Sequence, residues 1–238
     1  MSLAILGVVP ARRGSKGVPG KNVRPLAGRS PIERAYDVAA ASRVLRRIIL
    51  STDDPDALAL ARRVGLDVPF ARPPALARDD TPMIDVVLHA LAELEARGER
   101  FDAVLLLQPT SPLRTPEHLR RAVGLLEASP EASAVCSVTP VPPERCPHYL
   151  MKVSERGFLQ PFMPDGARYR RRQDVPRAHQ RCGTVFLTRT GVLETERSFY
   201  GPTCLPMQLA PDEAINIDGP EDWAAAERRL EAAERKSA

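Results

Sequence analysis

The stretch that most constrains this chain is Val8-Val9-Pro10-Ala11-Arg12-Arg13-Gly14-Ser15-Lys16-Gly17-Val18-Pro19-Gly20-Lys21-Asn22. The apolar run from Leu3 to Val9 is short, partly β-branched and stopped by Pro10, so it reads as a buried strand. Beyond Pro10 the chain cannot continue as regular structure. Gly14, Gly17 and Gly20 recur at a spacing of three and, with Pro10 and Pro19, make a loop whose backbone can approach a ligand closely. Arg12, Arg13, Lys16 and Lys21 lie in that loop. A glycine-rich backbone with convergent cations at the carboxyl end of a first strand suits a polyphosphate, because amides and cationic side chains together neutralise its charge.

Lysine usage sharpens this reading. The chain has 34 basic residues, yet only Lys16, Lys21, Lys152 and Lys236 are lysines, so two of the four fall in this one loop. A compact ammonium is preferred there over a guanidinium. A Walker A loop is excluded, because Gly14 to Gly20 encloses five residues rather than four and Lys21 is followed by Asn22 rather than Ser or Thr. The pattern is not GxGxxG either.

Downstream, strands and helices alternate. Ser30-Pro31-Ile32-Glu33 is a capping box opening a helix to about Ser42, and Arg47 to Ser51 is a second strand that delivers Ser51-Thr52-Asp53-Asp54. Asp54-Pro55 starts a second helix, which Gly65 stops. A short strand is expected over Asp67 to Ala71, and Thr81-Pro82 is expected to cap a third helix ending at Gly98. Phe101 to Leu107 is the most apolar strand and exits through Gln108-Pro109-Thr110-Ser111-Pro112-Leu113-Arg114. Thr115-Pro116 caps a fourth helix to about Ser129, and Ala134 to Val138 is a further strand.

From Thr139 to Arg172 the alternation breaks into proline-rich sequence with strand-like pieces at Tyr149 to Val153 and Phe158 to Phe162. This segment is expected to project as an insertion and to cover its apolar strands on a second subunit, giving a homodimer. Cys182 to Thr188 and Ala214 to Asp218 read as the remaining strands, and Gly219-Pro220 starts a terminal helix to about Arg235. The order predicts a single domain over residues 1–238: an α/β, three-layer, doubly wound, mostly parallel sheet with a small inserted subdomain. Ligands of such sheets sit outside the carboxyl ends of the strands. The basic loop, Ser51 to Asp54, Arg72 and Gln108 to Arg114 should therefore share one crevice.

Composition bounds the partners. With 34 basic against 30 acidic residues the surface is mixed, and aromatics at 5% are few for base stacking, so nucleic acid is not the expected partner. No apolar run approaches the ~20 residues of a membrane span. Four dispersed cysteines without zinc spacing fit a reducing compartment. The start of the chain shows no basic n-region or cleavage site, so the expected location is cytoplasmic.

Four motifs, in order, carry a resemblance. They are Val9-Pro10-Ala11-Arg12-x-Gly14-Ser15-Lys16-Gly17-x-Pro19-x-Lys21-Asn22, Gln108-Pro109-Thr110-Ser111-Pro112-Leu113-Arg114, Arg172-Gln173-Asp174-x-Pro176, and Ile217-Asp218-x-Pro220-Glu221-Asp222. The chain resembles the N-acylneuraminate cytidylyltransferases and their bacterial relatives for legionaminic and pseudaminic acids. The resemblance implies transfer of CMP from CTP to a 3-deoxy-nonulosonic acid, with Mg²⁺ as cofactor and pyrophosphate as the leaving product. It implies that Arg12, Lys16 and Lys21 are catalytic cations, and that Ala11, Gly14, Ser15, Asn22 and Arg72 join them in nucleotide binding. By the same resemblance Gln108, Ser111, Arg172 and Gln173 meet the sugar, while Asp218 and Asn216 hold the metal. The family commonly carries Asp-Ile-Asp where this chain has Asn216-Ile217-Asp218; residues at i and i+2 of a strand face one side, so both can still reach one ion. Relatives often show Tyr and Asn-Gly where this chain has His179 and Cys182-Gly183. The related Kdo enzymes lack the Ser-Lys-Gly and Lys-Asn pattern of the opening loop.

Overall fold

The computed structural model describes residues 2–14 and 17–237. The opening apolar run forms strand β1 (Ile5–Ala11), buried along its whole length. Its side chains alternate between two faces. Ile5, Val9 and Ala11 pack with α1 (Pro31–Ser42), α2 (Pro55–Val64) and α4 (Pro116–Ala128) on one side. Leu6 and Val8 pack with α3 (Met83–Glu95) and with Leu193 of α5 (Thr190–Glu196) on the other. Helices on both faces of one sheet make the expected three layers. Each fully buried leucine or isoleucine in those layers contributes roughly 1.5–3 kcal/mol.

The six-stranded sheet runs β2 (Arg47–Thr52), β1, β3 (Ala103–Leu106), β7 (His179–Arg189), β4 (Ala134–Pro140), β8 (Cys204–Gln208). All neighbours are parallel except at β7, which is antiparallel to both β3 and β4. The start of β7 therefore lies at the same edge as the carboxyl ends of the other five strands.

The helix starts are chemical. Ser30 and Glu33 exchange bonds across the first turn of α1, Glu33 N–H to Ser30 Oγ at 3.3 Å and Ser30 N–H to Glu33 Oε2 at 2.8 Å. Asp54 caps α2, and Thr115 caps α4. Thr81 does not cap α3; the cap position falls on Pro82, and the Thr81 hydroxyl donates to Ala75 O instead.

Two expected strands do not form. Of Asp67 to Ala71 only Asp67 bridges, to Ile49, since Pro69 and Pro73 cannot sustain a ladder. Ala214 to Asp218 is irregular, with Ile217 N–H bonded to Thr110 O rather than to a neighbouring strand. The sheet edge is taken by β8, whose Pro206 is tolerated because the strand has a partner on one side only. Between β4 and β7 the chain leaves the sheet and makes a separate hairpin, β5 (Met151–Val153) with β6 (Leu159–Pro161). The terminal helix α6 (Pro220–Ser237) packs Trp223, Ala226 and Leu230 against Val18, Leu26 and Ile217, which clamps the basic loop to the sheet edge.

Candidate active site

The basic loop is held from several directions. Arg13 N–H donates to Asp53 Oδ1 at 2.9 Å, tying the loop to the exit of β2. Asn22 Nδ2 donates to Arg12 O at 3.3 Å, so its amide nitrogen braces the loop and its oxygen is left for a ligand. Gly20 takes φ +64°, the left-handed conformation that turns the chain toward Lys21. Gly17 is required for closeness: a Cβ there would lie 1.9 Å from Asp218 O. Ser15 and Lys16 lie outside the described residues.

Lys21 crosses the site. Its Nζ donates to Ile217 O at 2.9 Å. Burial pushes the ammonium below the ordinary lysine value, Asp218 and Asp222 pull it up, and Arg12 pushes it down. Arg12 pairs with Asp79 at 2.5 Å. Arg72 is 4% exposed and its Nε donates to Ser51 Oγ at 3.1 Å; burial lowers its pKa to about 10. Ala11 closes β1 with its methyl in the core, which leaves only its backbone to meet a nucleotide.

Two clefts open along this edge and share Gln108. The smaller, about 170 Å³, is lined by Arg12, Lys21, Asn22, Arg72 and Pro109-Thr110. The larger, about 580 Å³, is lined by Gln108, Arg181, Gly183, Tyr200, Asn216 and Asp218 among others. A β-bulge lies beside Gln108, where the two clefts meet. Cys182 to Val185 of β7 stand opposite the single residue Ser137 of β4, whose Oγ accepts the Val185 N–H at 2.8 Å. The bulge lifts Gly183, at φ +76°, so that a Cβ there would lie 3.3 Å from Ser111 Oγ, 3.5 Å from Gln108 Oε1 and 3.7 Å from Asn216 Oδ1. Two side chains of the 108–114 loop and one from the segment before α6 thus converge on one glycine.

Asn216 and Asp218 do face one another: Asn216 Nδ2 donates to Asp218 Oδ2 at 2.9 Å. Asp222 Oδ2 is spent on the N–H groups of Asp218 and Gly219, at 3.0 and 2.9 Å. Among the described residues no three acidic, histidine or cysteine side chains gather as a metal cage. One carboxylate and one amide oxygen nevertheless fit Mg²⁺, a hard cation that completes its shell with water and substrate phosphate.

Gln173 is exposed in the one-turn 3₁₀ helix Arg172–Asp174 and does not line either cleft. The side chain of Arg172 is outside the described part of the structure. Residues not anticipated at the site are Arg181 and Tyr200, whose guanidinium and ring lie 4.9 Å apart, together with Asp79 and Gly183. Arg181 sits at the edge only because β7 begins three residues before the expected Cys182 and runs antiparallel.

A basic phosphate-type cleft joined to a polar cleft at the carboxyl edge of a doubly wound sheet is the arrangement of a nucleotidyltransferase. Similarity to known proteins narrows it. Residues 6–200 match the family described as Cytidylyltransferase, and the chain belongs to that family. It is 33% identical to a CMP-N,N'-diacetyllegionaminic acid synthase of Legionella pneumophila over 96% of this chain and 97% of that protein. An N-acylneuraminate cytidylyltransferase of Streptococcus agalactiae is 29% identical over 91% of this chain, which spans about half, 51%, of that longer protein. Among solved structures, a CMP:2-keto-3-deoxy-manno-octonic acid synthetase complexed with CTP superposes with TM-score 0.70 at 17% identity, covering 98% of this chain and 99% of that one. That likeness shows the fold. Among the described residues no helix is long and apolar enough to cross a membrane.

Proposed function

We propose that this protein transfers the cytidylyl group of CTP to the anomeric hydroxyl of a 3-deoxy-nonulosonic acid. A bond forms between the sugar oxygen and the α-phosphorus, the bond from that phosphorus to the bridging oxygen breaks, and pyrophosphate departs as the hydroxyl proton is lost. The observation that carries this reading is the pair of clefts meeting at Gln108, one cationic and one polar. Such a pair holds a triphosphate and a polyhydroxylated acceptor with their reacting atoms side by side. The identity to a legionaminic acid relative over nearly the whole of both chains supports the acceptor class.

Within this reading Arg12, Lys16 and Lys21 face the phosphates, with Lys21 set against the charge that develops on the leaving group. Ala11, Gly14, Ser15, Asn22 and Arg72 enclose the nucleotide. Gln108 and Ser111 meet the sugar; Arg172 and Gln173 are assigned to it by the family resemblance, and of these Gln173 lines neither cleft. Asp218 and Asn216 would hold Mg²⁺, which when bound neutralises phosphate charge. The four cysteines are free, in keeping with a cytoplasmic location.

The protein also acts as a homodimer. Its hairpin leaves Leu150, Met151, Val153, Phe158, Leu159 and Phe162 exposed, an apolar face that a second copy would cover.

The test is pyrophosphate release with CTP and Mg²⁺ against N-acetylneuraminic, legionaminic and pseudaminic acids, Kdn and Kdo. Turnover on one of the nine-carbon acids is expected. Turnover on Kdo alone, or CTP binding with no turnover on any of them, would overturn the reading.

A further inference from the structure

Arg114 is a buried cation that the nucleotidyl-transfer reading leaves without a role. It is 4% exposed, and no acidic side chain pairs with it among the described residues. An unpaired charge in such a place is costly to bury, so its surroundings must depend on it. Its bonds show where. Nε donates to Thr184 O at 2.7 Å and Nη2 to Gln108 O at 3.0 Å, while Nη1 has no hydrogen-bond partner among the described residues. Thr184 lies inside the β7 bulge, where its carbonyl is out of the regular ladder. Gln108 O also accepts Ser111 N–H at 3.3 Å, and Ser111 O accepts Arg114 N–H at 3.3 Å, so the loop from 108 to 114 curls back onto its own first carbonyl. Ser111, 3% exposed and with no hydrogen-bond partner for its Oγ among the described residues, packs that oxygen closely against Gly183.

We propose that Arg114 is a positioning residue: its planar fork joins the Gln108 carbonyl to the Thr184 carbonyl and thereby fixes where the Gln108 side chain stands at the junction of the two clefts, the place where the sugar presents its hydroxyl. This rests on the acceptor assignment above. A fork is needed because two carbonyls from different elements must be held at once and in one plane. Lysine keeps the charge and loses that geometry. The nucleotide cleft meets Arg114 only through Gln108 and the adjoining Pro109-Thr110; its cationic and amide side chains, Arg12, Lys21, Asn22 and Arg72, make no hydrogen bond with Arg114, so CTP binding should change much less than sugar binding.

The experiment compares Arg114→Lys with the wild type in steady-state kinetics for both substrates and in CTP titration. The expected result is a rise in the sugar-acid KM of roughly tenfold or more, as misplacement of a neighbouring group by about an ångström produces, with the CTP Kd unchanged within about threefold. A second arm places the same change in a Gln108→Ala background. There the effect of Arg114→Lys on the sugar-acid KM should largely vanish, because the residue acts through Gln108. Arg114→Gln, which keeps a donor and drops the charge, stands in if the lysine variant does not fold. Equal rises in both KM values, an unchanged sugar-acid KM, full additivity with Gln108→Ala, or failure of both variants to fold would overturn the proposal. Absence of turnover in the wild type itself would instead overturn the acceptor reading.

Discussion

Arg12 and Asp79 pair at 2.5 Å across the mouth of the nucleotide cleft, each about a third or more exposed. A guanidinium that is to meet a phosphate is thus already occupied by a carboxylate, and a nucleotide must displace it. Exposed pairs of this kind contribute roughly 0.2–1 kcal/mol, which corresponds to at most about fivefold in binding. Asp79→Asn should lower the CTP KM by about two- to fivefold at low ionic strength. The difference from wild type should shrink in 0.5 M salt, where exposed charges are screened. An unchanged or higher KM at low salt would show that Asp79 orients Arg12 rather than competing for it.

Lys21 is expected to impose an alkaline limit. Only its charged form neutralises phosphate, and burial lowers its pKa below the ordinary lysine value. The charge is therefore lost at lower pH than for a free lysine, and kcat/KM for CTP should fall as pH rises through that point. Bound phosphates favour the ammonium, so the limb in kcat should lie at higher pH than the limb in kcat/KM. Lys21→Ala should cut kcat/KM by roughly two orders of magnitude at neutral pH, the scale of losing one preorganised contact to a developing anion. Near-normal turnover would mean that the loop does not face the phosphates.

The glycines of the loop should separate sharply on replacement. A methyl at Gly17 meets Asp218 O at 1.9 Å, a contact that only displacement of the loop or of the Asp218–Gly219 backbone relieves. Gly14 has φ +77° and no protein atom within 4 Å of the added carbon, so alanine there meets left-handed strain of about 1–2 kcal/mol without a clash inside the protein. Gly17→Ala should abolish most activity and lower Tm, whereas Gly14→Ala should lower Tm slightly and keep Mg²⁺-dependent turnover. Equal effects in the two variants would argue against the close packing of Gly17 on Asp218.

Much of this is legible in the sequence because it is local. The Ser30 and Glu33 box, the Asp54 cap and the alternation of Ile5, Val9 and Ala11 against Leu6 and Val8 depend on neighbours a few residues apart. Lys21 and Gln108 belong at one edge by the rule that parallel strands deliver their exits together. The rest is tertiary. Gly183 reaches Gln108 and Ser111 because Ser137, from another strand, satisfies the bulge, and no spacing within Cys182 to Thr188 encodes that. Arg181 and Tyr200 meet because β7 runs against its neighbours and Tyr200 comes after a helix. Asp79 reaches Arg12 from a segment without regular structure.

The hairpin carries a prediction about assembly. Leu159 is 69% exposed and Val153, its cross-strand partner, 68%, so this pair stands in water unless a second copy covers it. Sedimentation at micromolar concentration should show a dimer for the wild type and a monomer for Leu159→Glu, since a buried unpaired carboxylate is incompatible with an apolar interface. A wild-type monomer that turns over normally would show that the hairpin needs no second copy.

Asn216 offers the most direct probe of the metal. Its Nδ2 donates to Asp218 Oδ2 at 2.9 Å, and replacing that nitrogen by oxygen brings two carboxylates into repulsion. Without a cation Asn216→Asp should therefore lower Tm. With Mg²⁺ the added charge becomes a stronger ligand, so Tm should recover and the Mg²⁺ concentration for half-maximal turnover should fall several-fold below that of the wild type. Thermal melts with Mg²⁺ and with EDTA read the first effect without any substrate, and pyrophosphate release reads the second. If Mg²⁺ leaves the Tm of the variant unchanged, the cation does not lie between residues 216 and 218, and Asn216 serves instead to hold Asp218 in place for the loop that packs against it.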